Sequence, residues 1–238
     1  MLGCFISKVK KELSNKAGKI IYKYLGSLTK EIIKNELDPF LWCSFVHSNQ
    51  PMSYKFKNVI VRKPSKSIVN AISSKNIKPD YQKICNEHKK YIETLISLKI
   101  NVFTLGALED YPDSVFIEDP ALAYDDHCIL LRPGTKSRFG ESKILSRDIK
   151  NYFKKLLFIE NGKIEGGDIL RINKHFIIGL SDRTNKEGAE NLSYLLTSLG
   201  ATVDISSTPK DILHFKTDCS LIDDHTILVT KKMKKKLN

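Results

Sequence analysis

The sequence contains few cysteines, and none of them forms a paired motif. The five are scattered along the chain, without a single Cys-x-x-Cys pair, at Cys4, Cys43, Cys85, Cys128 and Cys219. An odd number at irregular spacing indicates neither a disulfide framework nor a zinc site, and it is typical of a reducing compartment. We therefore expect a cytoplasmic protein that uses no metal and no cofactor.

Long hydrophobic runs are also missing. No apolar stretch approaches the roughly 20 residues that a membrane-spanning helix needs. Residues 1–8 lack a basic start and have only a short hydrophobic stretch, so no secretory signal is expected. With 238 residues, of which 41% are hydrophobic and 28% charged, the chain can bury the core of one sizeable globular domain.

Acidic residues are the minority charge, and the net charge is +12. The excess lies at the two ends. Residues 1–37 carry eight lysines and three glutamates, residues 231–238 carry five lysines, and the other 193 residues hold only +2. A nucleic-acid binder usually has a basic stripe on its folded body, so no nucleic-acid partner is expected.

The N-terminal region has apolar residues at helical spacing between positions 5 and 37, with lysines between them. This pattern predicts a basic amphipathic helix, followed by a linker that ends near Tyr54. Packing on the protein itself or on a partner is the simpler interpretation, and contact with an anionic membrane surface is the alternative. Residues 1–55 are thus predicted to form a helical extension and linker.

A repeated pattern begins near residue 56: two strands joined by a tight polar turn, then a helix, then another strand. The turns lie 48 to 50 residues apart, at residues 125–126, 173–174 and 223–224. A fixed period predicts a fold that stacks one supersecondary unit, with the first helix near residues 141–156. The last copy has no helix or closing strand, which predicts a domain over residues 56–230 that stops within a unit and a Lys-rich tail over 231–238. Alternatively, the fold ends on this hairpin.

Charged residues interrupt apolar strands at the same end of each copy. Glu118 and Asp119 follow a Val-Phe-Ile run, Glu165 precedes a strand within Glu-Gly-Gly-Asp, and His214 opens another strand. Taken singly, each motif is more often a turn or a core residue. Stacked units would bring them together, and acids with a histidine suit acid–base chemistry on a planar cation such as a guanidinium.

Six segments, in matching order and spacing, resemble the dimethylarginine dimethylaminohydrolases of the pentein superfamily. They are Val-Arg-Lys-Pro-Ser-Lys-Ser (61–67), Tyr-Pro-Asp-Ser-Val-Phe-Ile-Glu-Asp-Pro (111–120), Leu-Leu-Arg-Pro-Gly-Thr-Lys-Ser-Arg-Phe-Gly-Glu (130–141), Glu-Gly-Gly-Asp-Ile-Leu (165–170), Ile-Gly-Leu-Ser-Asp-Arg-Thr-Asn-Lys-Glu-Gly-Ala-Glu (178–190) and Leu-His-Phe-Lys-Thr (213–217). The resemblance implies an α+β fold, an α/β-propeller of five ββαβ units that is incomplete here and carries an N-terminal helical extension.

The resemblance also implies how the reaction would proceed. Asp119 would grip the substrate guanidinium, with Glu118 beside it and Glu165 polarising it. His214 would be the general acid–base group, which protonates the departing amine and then activates water. A cysteine of low pKa would attack the guanidinium carbon, and hydrolysis of the covalent intermediate would give citrulline and an amine.

The remaining substrate contacts follow from the same resemblance. Arg138 and Arg183 would bind the substrate carboxylate, and Asp113 with the backbone of Ile72 would hold the α-amino group. Lys216 stands two residues after the histidine, where arginine deiminases and amidinotransferases carry an aspartate. The resemblance therefore favours methylated arginine over arginine as the substrate.

The nucleophilic cysteine of the family has no match in this sequence. In the family it lies near the C-terminus in a Gly-Gly-x-Ser-Cys-like stretch, and Cys219 falls at a non-catalytic strand position. The leading hypothesis is a dimethylargininase-like hydrolase whose chain is truncated and inactive alone. The alternatives are half of a split enzyme, completed by a second polypeptide or by self-association, and a non-catalytic module that binds a guanidinium or an amino acid.

Overall fold

The structure, a computed structural model, describes residues 45–47, 56–73, 78–223 and 225–234. Within them one unit recurs, in which an antiparallel strand pair is followed by a helix and a third strand parallel to the second. The helix predicted at residues 5–37 lies outside the described residues. None of the described helices is long and apolar enough to cross a membrane.

Three of the units have the complete strand–strand–helix–strand order. Unit 1 contains β1 (Phe45–His47), β2 (Asn58–Arg62), α1 (Tyr81–Ser97) and β3 (Asn101–Leu105). Unit 2 contains β4 (Ala121–Tyr124), β5 (His127–Leu130), α2 (Glu141–Ile149) and β6 (Lys155–Phe158). Unit 3 contains β7 (Ile169–Ile172), β8 (His175–Leu180), α3 (Lys186–Ser198) and β9 (Thr202–Ser207). Unit 4 contains β10 (Cys219–Asp223), β11 (Thr226–Val229) and α4 (Lys231–Lys234).

The ββαβ repeat predicted from the turn spacing is confirmed. Residues 125–126 connect β4 to β5, and residues 173–174 connect β7 to β8. Asp125 and Asn173 adopt positive φ angles of 54° and 57°. Aspartate and asparagine tolerate this conformation better than other non-glycine residues, which explains why the hairpins turn at these positions.

Three elements differ from the sequence-based expectation. The helix predicted over residues 141–156 ends at Ile149, because residues 155–158 pair with β5 as a parallel strand instead. Strand β1 lies within the predicted linker and pairs with β2. The Lys-rich segment starts as the short helix α4 because Met233 is fully buried against Phe215 and Cys219.

The hydrophobic core lies mainly between neighbouring units. One cluster joins unit 1 to unit 2 and includes Ile60, Leu105, Ile117, Leu130 and Leu145. Another joins unit 2 to unit 3 and includes Tyr124, Ile129, Phe176, Ile178 and Leu192. Each unit therefore buries its apolar surface against the next one, as expected for a repeat fold.

Two arginines reinforce these junctions. The guanidinium of Arg62 is buried between units 1 and 2, where it donates to the carboxylate of Asp148 at 2.8 Å and to the carbonyl of Gly106 at 2.7 Å. The guanidinium of Arg171 in unit 3 lies 4.7 Å from the ring centroid of Tyr124 in unit 2. Both contacts therefore tie adjacent units to each other.

Candidate active site

Two sets of equivalent loops carry the residues that the sequence analysis singled out. Loops that precede the first strand of units 2, 3 and 4 contain Asp119, Glu165 and His214. Loops between the second strand and the helix of units 1, 2 and 3 contain Ile72, Arg138 and Arg183. Units 2 and 3 contribute a residue from both loops, and units 1 and 4 contribute from one loop each, so the site is assembled across the repeat.

His214 and Glu165 form a buried pair at the centre of the site. The Nε2 atom of His214 lies 2.9 Å from Oε2 of Glu165, and the two residues are 7% and 1% exposed. Burial lowers the pKa of His214, but the hydrogen bond with Glu165 and the charges of Asp119 and Asp168 outweigh it, so the pKa lies above its ordinary value of 6.5. The surroundings of His214 therefore favour its protonated form.

Glu165 also connects this pair to Arg183. Its Oε1 atom lies 3.4 Å from a terminal guanidinium nitrogen of Arg183 and accepts a hydrogen bond from the backbone N–H of Gly134 at 3.3 Å. Burial raises the pKa of Glu165, but the hydrogen bond with His214 and the charge of Arg183 bring it below its ordinary value. Glu165 is thus an anion with cationic groups on both sides.

Arg183 keeps an open side. Its guanidinium donates to the hydroxyl of Thr135, and its side chain is 21% exposed. The predicted contact with a substrate carboxylate needs an accessible guanidinium, and Arg183 has one. The contact between Arg183 and a substrate carboxylate stays a prediction.

Arg138 has partners other than those predicted for it. It donates to Asp119 Oδ2 at 2.5 Å, to the carbonyl of Phe116 at 2.9 Å, and to both carboxylate oxygens of Glu141 at 2.7 and 2.9 Å. Burial lowers the pKa of Arg138, but Asp119 and Glu141 raise it well above the ordinary value. In this arrangement Arg138 orients Asp119 rather than offering a free guanidinium to a substrate carboxylate, because Glu141 already occupies its bidentate edge.

Asp113 and Ile72 lie in contact with each other. The backbone N–H of Ile72 donates to Oδ1 of Asp113 at 3.1 Å. Burial raises the pKa of Asp113, although the charge of Arg138 and the hydrogen bond from Ile72 oppose the shift. This pair lies at the unit 1 side of the site, where the α-amino group of an amino acid was predicted to bind.

Glu118 faces Lys216 across the site. The ammonium nitrogen of Lys216 lies 3.7 Å from Oε2 of Glu118. Lys216 follows His214 by two residues, so the loop of unit 4 brings a histidine and a cation into the site together. The cation partly compensates the charge of Glu118 and reduces the negative potential that a cationic ligand would meet.

Asp168 is a buried residue whose role the sequence analysis missed. Its Oδ2 atom accepts hydrogen bonds from the hydroxyls of Ser181 at 2.7 Å and Thr184 at 2.6 Å. Its Oδ1 atom accepts from the backbone N–H of Phe215 at 2.8 Å. Because Phe215 directly follows His214, Asp168 fixes the backbone that carries the histidine. Asp168 is the last residue of the Glu-Gly-Gly-Asp motif, but the sequence does not show its contact with Phe215, which lies 47 residues away.

Gly166 and Gly167 permit the close approach of the neighbouring loops. A Cβ atom on Gly166 would lie 2.1 Å from the carbonyl oxygen of Glu118, and one on Gly167 would lie 2.7 Å from the His214 ring. Neither contact is sterically possible. The two glycines are therefore required for Asp119, Glu165 and His214 to meet.

The described cysteines are not suited to attack a guanidinium carbon. Burial raises the pKa of Cys219 to about 12, and the thiol donates to the carbonyl of Phe215 at 3.2 Å. Burial also raises the pKa of Cys128. Cys85 is partly exposed and lies on helix α1, whereas the site residues named above lie in loops. A nucleophile needs a low pKa and access to substrate, and the two buried thiols have neither.

The spacing of three side chains is compatible with a metal ion, but the surrounding charge is not favourable. Potential ligand atoms of Asp119, Glu165 and His214 lie within 4.8 Å of one another. Arg138 and Arg183 already contact the two carboxylates. These two guanidinium groups would compete with a metal ion for the carboxylate oxygens, so the arrangement does not favour a metal site.

Comparisons with known proteins show which family the chain resembles. A family model described as arginine deiminase matches residues 107–238. The chain is 36% identical over 176 residues to a dimethylarginine dimethylaminohydrolase from Pseudomonas aeruginosa, covering 73% of this chain and 69% of that relative. It is 26% identical over 175 residues to a protein of the same name from Streptomyces coelicolor, covering 72% and 67%.

Solved structures show the same likeness. A cysteine-to-serine variant of the Pseudomonas aeruginosa protein, complexed with citrulline, superposes with a TM-score of 0.73 at 34% identity and covers 77% of this chain and 72% of that one. The N-terminal domain of a cyanobacterial arginine dihydrolase superposes with a TM-score of 0.63 at 17% identity, covering 72% and 65%. The second match shows the fold alone.

Proposed function

Because the chain belongs to the dimethylarginine dimethylaminohydrolase family, we propose that it binds methylated arginine and carries the acid–base groups for hydrolysis of a guanidine C–N bond. The buried His214–Glu165 pair beside Asp119 is the observation that supports this function most directly. Asp119 offers a carboxylate to the guanidinium, and His214 offers a proton within the same cluster.

The proton transfers follow from the protonation of His214. Its raised pKa keeps the imidazolium available to protonate the departing amine. The neutral imidazole that results then accepts a proton from the water that hydrolyses the covalent intermediate. Glu165 stabilises the charged form through the 2.9 Å hydrogen bond, so the histidine can alternate between acid and base without leaving its position.

In this proposal, the thiolate that attacks the guanidinium carbon comes from outside the described residues. Cys128 and Cys219 are buried with raised pKa values, so neither supplies it. Because the cysteine-containing stretch of the family has no match in this sequence, we propose that the chain alone does not turn over methylated arginine. A second polypeptide or a second copy of the chain that contributes a cysteine would complete the reaction centre.

The Lys216–Glu118 contact supports methylated arginine over arginine. An aspartate at position 216 would provide a second acceptor for guanidinium N–H groups, but a nitrogen with two methyl groups has no N–H to donate. A carboxylate opposite it would be desolvated without a partner, which is unfavourable. Lys216 avoids this cost.

Calorimetry with asymmetric dimethylarginine and citrulline tests the binding step. We expect the affinity to fall at least about tenfold in Asp119→Asn, since a charge-assisted contact is lost. Asp204→Asn is the matched control, because Asp204 is exposed and contacts only His175 among the ion pairs described for it. Equal affinity in Asp119→Asn and the control would contradict the proposal, whereas citrulline release would show turnover by the chain alone.

A further inference from the structure

A cleft lies outside the acid–base site. It encloses about 530 Å³ beside the first turns of α2, where the parallel strands β5 and β6 end. Asp119, Glu165 and His214 do not line it. Ligands of α/β units often bind at the carboxyl ends of parallel strands, so the location suits a binding site.

The walls of this cleft are apolar and include two accessible aromatic rings. Leu130, Leu131 and Ile159 form a buried floor. Phe139 and Phe158 line the cleft and are 68% and 50% exposed. Exposure of two phenylalanine rings to water at one concave surface is unfavourable. A flat apolar ligand that covered the rings would remove them from water and stabilise the complex.

The charge around the cleft has one sign. Arg132, Lys143 and Arg147 line it, and among the described residues no aspartate or glutamate does. Arg138 also lines it, but its charge is compensated by Asp119 and Glu141. The guanidinium of Arg132 lies 5.9 Å from the centroid of the Phe139 ring, so a cation and an aromatic face are presented together.

We propose that this cleft binds a small organic anion that carries an aromatic ring, with a nucleotide as the test case. The ring would pack against Phe139 and Phe158, and the anionic group would pair with Lys143 and Arg147. The volume matches that of small-molecule sites. The basic residues 1–37, at +5, are an unsuitable occupant because the cationic rim would repel them. This site is independent of the proposed hydrolase function.

Calorimetry on the full chain with adenosine 5′-monophosphate tests the proposal, with adenosine and inorganic phosphate as partial ligands. We expect the nucleotide to bind more tightly than either part. The double variant Lys143→Gln/Arg147→Gln should bind it about tenfold more weakly, because each exposed ion pair contributes modestly. Phe158→Ala should also weaken it. Lys174→Gln, an exposed lysine in the β7–β8 turn, should bind like the wild type.

Three results would overturn the proposal. The first is the absence of binding by both adenosine 5′-monophosphate and naphthalene-2-sulfonate, a second aromatic anion. The second is equal affinity in the double variant and Lys174→Gln, which would place the nucleotide elsewhere. The third is phosphate binding as strong as nucleotide binding, which would remove the aromatic requirement. Circular dichroism melts of the variants separate lost binding from lost folding.

Discussion

The Oε2 atom of Glu165 lies 2.9 Å from Nε2 of His214, although 49 residues separate them in the chain. The pKa of the histidine is raised and that of the glutamate is lowered. Because the pKa of His214 is raised by folding, the histidine stabilises the folded state fully at pH values below its ordinary pKa. This stabilisation is lost as the pH rises through the pKa of the folded state. Because the pKa of Glu165 is lowered by folding, the glutamate stabilises the folded state fully at pH values above its ordinary pKa. This stabilisation is lost as the pH falls through the pKa of the folded state.

The pair therefore stabilises the fold most between pH 4.5 and 6.5, the ordinary values of the two groups. We expect Glu165→Gln to lower the free energy of unfolding by on the order of 2 kcal/mol in this window. The difference from wild type should shrink toward pH 9. Denaturant unfolding across pH 4 to 9 measures it, and a difference that does not change with pH would contradict the assignment.

Replacement of Asp168 should lower the pKa of His214. Asp168→Asn removes a negative charge that raises this pKa and weakens the acceptor for the Phe215 N–H. Histidine titration by NMR, with the His214 signal identified through His214→Gln, gives the shift. Asp204→Asn is the control, and an unchanged His214 pKa in Asp168→Asn would show that Asp168 does not act on the histidine.

Gly167→Ala should destabilise the site through a steric clash. The new Cβ atom would lie 2.7 Å from the His214 ring, and relieving that contact should cost about 1–3 kcal/mol. Gly106→Ala is the matched control, because no atom lies within 4 Å of a Cβ atom at that position. Thermal unfolding of the two variants gives the comparison. Equal melting temperatures would mean that the loops of units 3 and 4 do not pack as described.

Lys216→Met should favour charged guanidino ligands over neutral citrulline. The substitution removes the cation 3.7 Å from Glu118 and leaves more negative potential in the site. We expect the ratio of the citrulline Kd to the arginine Kd to rise, on the order of threefold. Lys174→Met controls for the change in net charge. If the ratio of the two Kd values equals that of the control, Lys216 does not influence ligand binding.

The purified chain should release no citrulline from asymmetric dimethylarginine. The cysteine-containing stretch of the family has no match in this sequence. Burial raises the pKa of Cys219 to about 12 and leaves the residue only 2% exposed, which disfavours a thiolate at neutral pH. A colorimetric citrulline assay measures this directly. Activity that disappears in Cys219→Ala would identify Cys219 as the nucleophile and contradict the prediction that the chain alone is inactive.

The sequence predicted the repeat and the positions of its acids because both depend on local signals. Polar turns at residues 125–126 and 173–174 and the apolar runs around them specify the strands. Glu165 and His214 are recognisable because each stands next to an apolar run, where a charge is unexpected. Their meeting then follows from the stacking of equivalent units.

Side-chain partners could not be predicted in the same way. Arg138 was assigned to a substrate carboxylate, whereas the structure shows it between Asp119 and Glu141. Several carboxylates compete for one guanidinium, and the outcome depends on helix α2 turning Glu141 inward. The end of α2 at Ile149 was also missed, since pairing of residues 155–158 with β5 overrides the helical spacing of the apolar residues.

The contact between Arg138 and Asp119 gives the protein an internal competitor. An arginine side chain carries the same functional group that an arginine-derived substrate would present to Asp119. Arg138 and Asp119 are only 19 residues apart in the same chain, so the effective concentration of the guanidinium at this carboxylate is high. An incoming ligand must therefore displace Arg138 or share the carboxylate with it. The strength with which Glu141 retains Arg138 would then help to set how readily Asp119 accepts a foreign guanidinium.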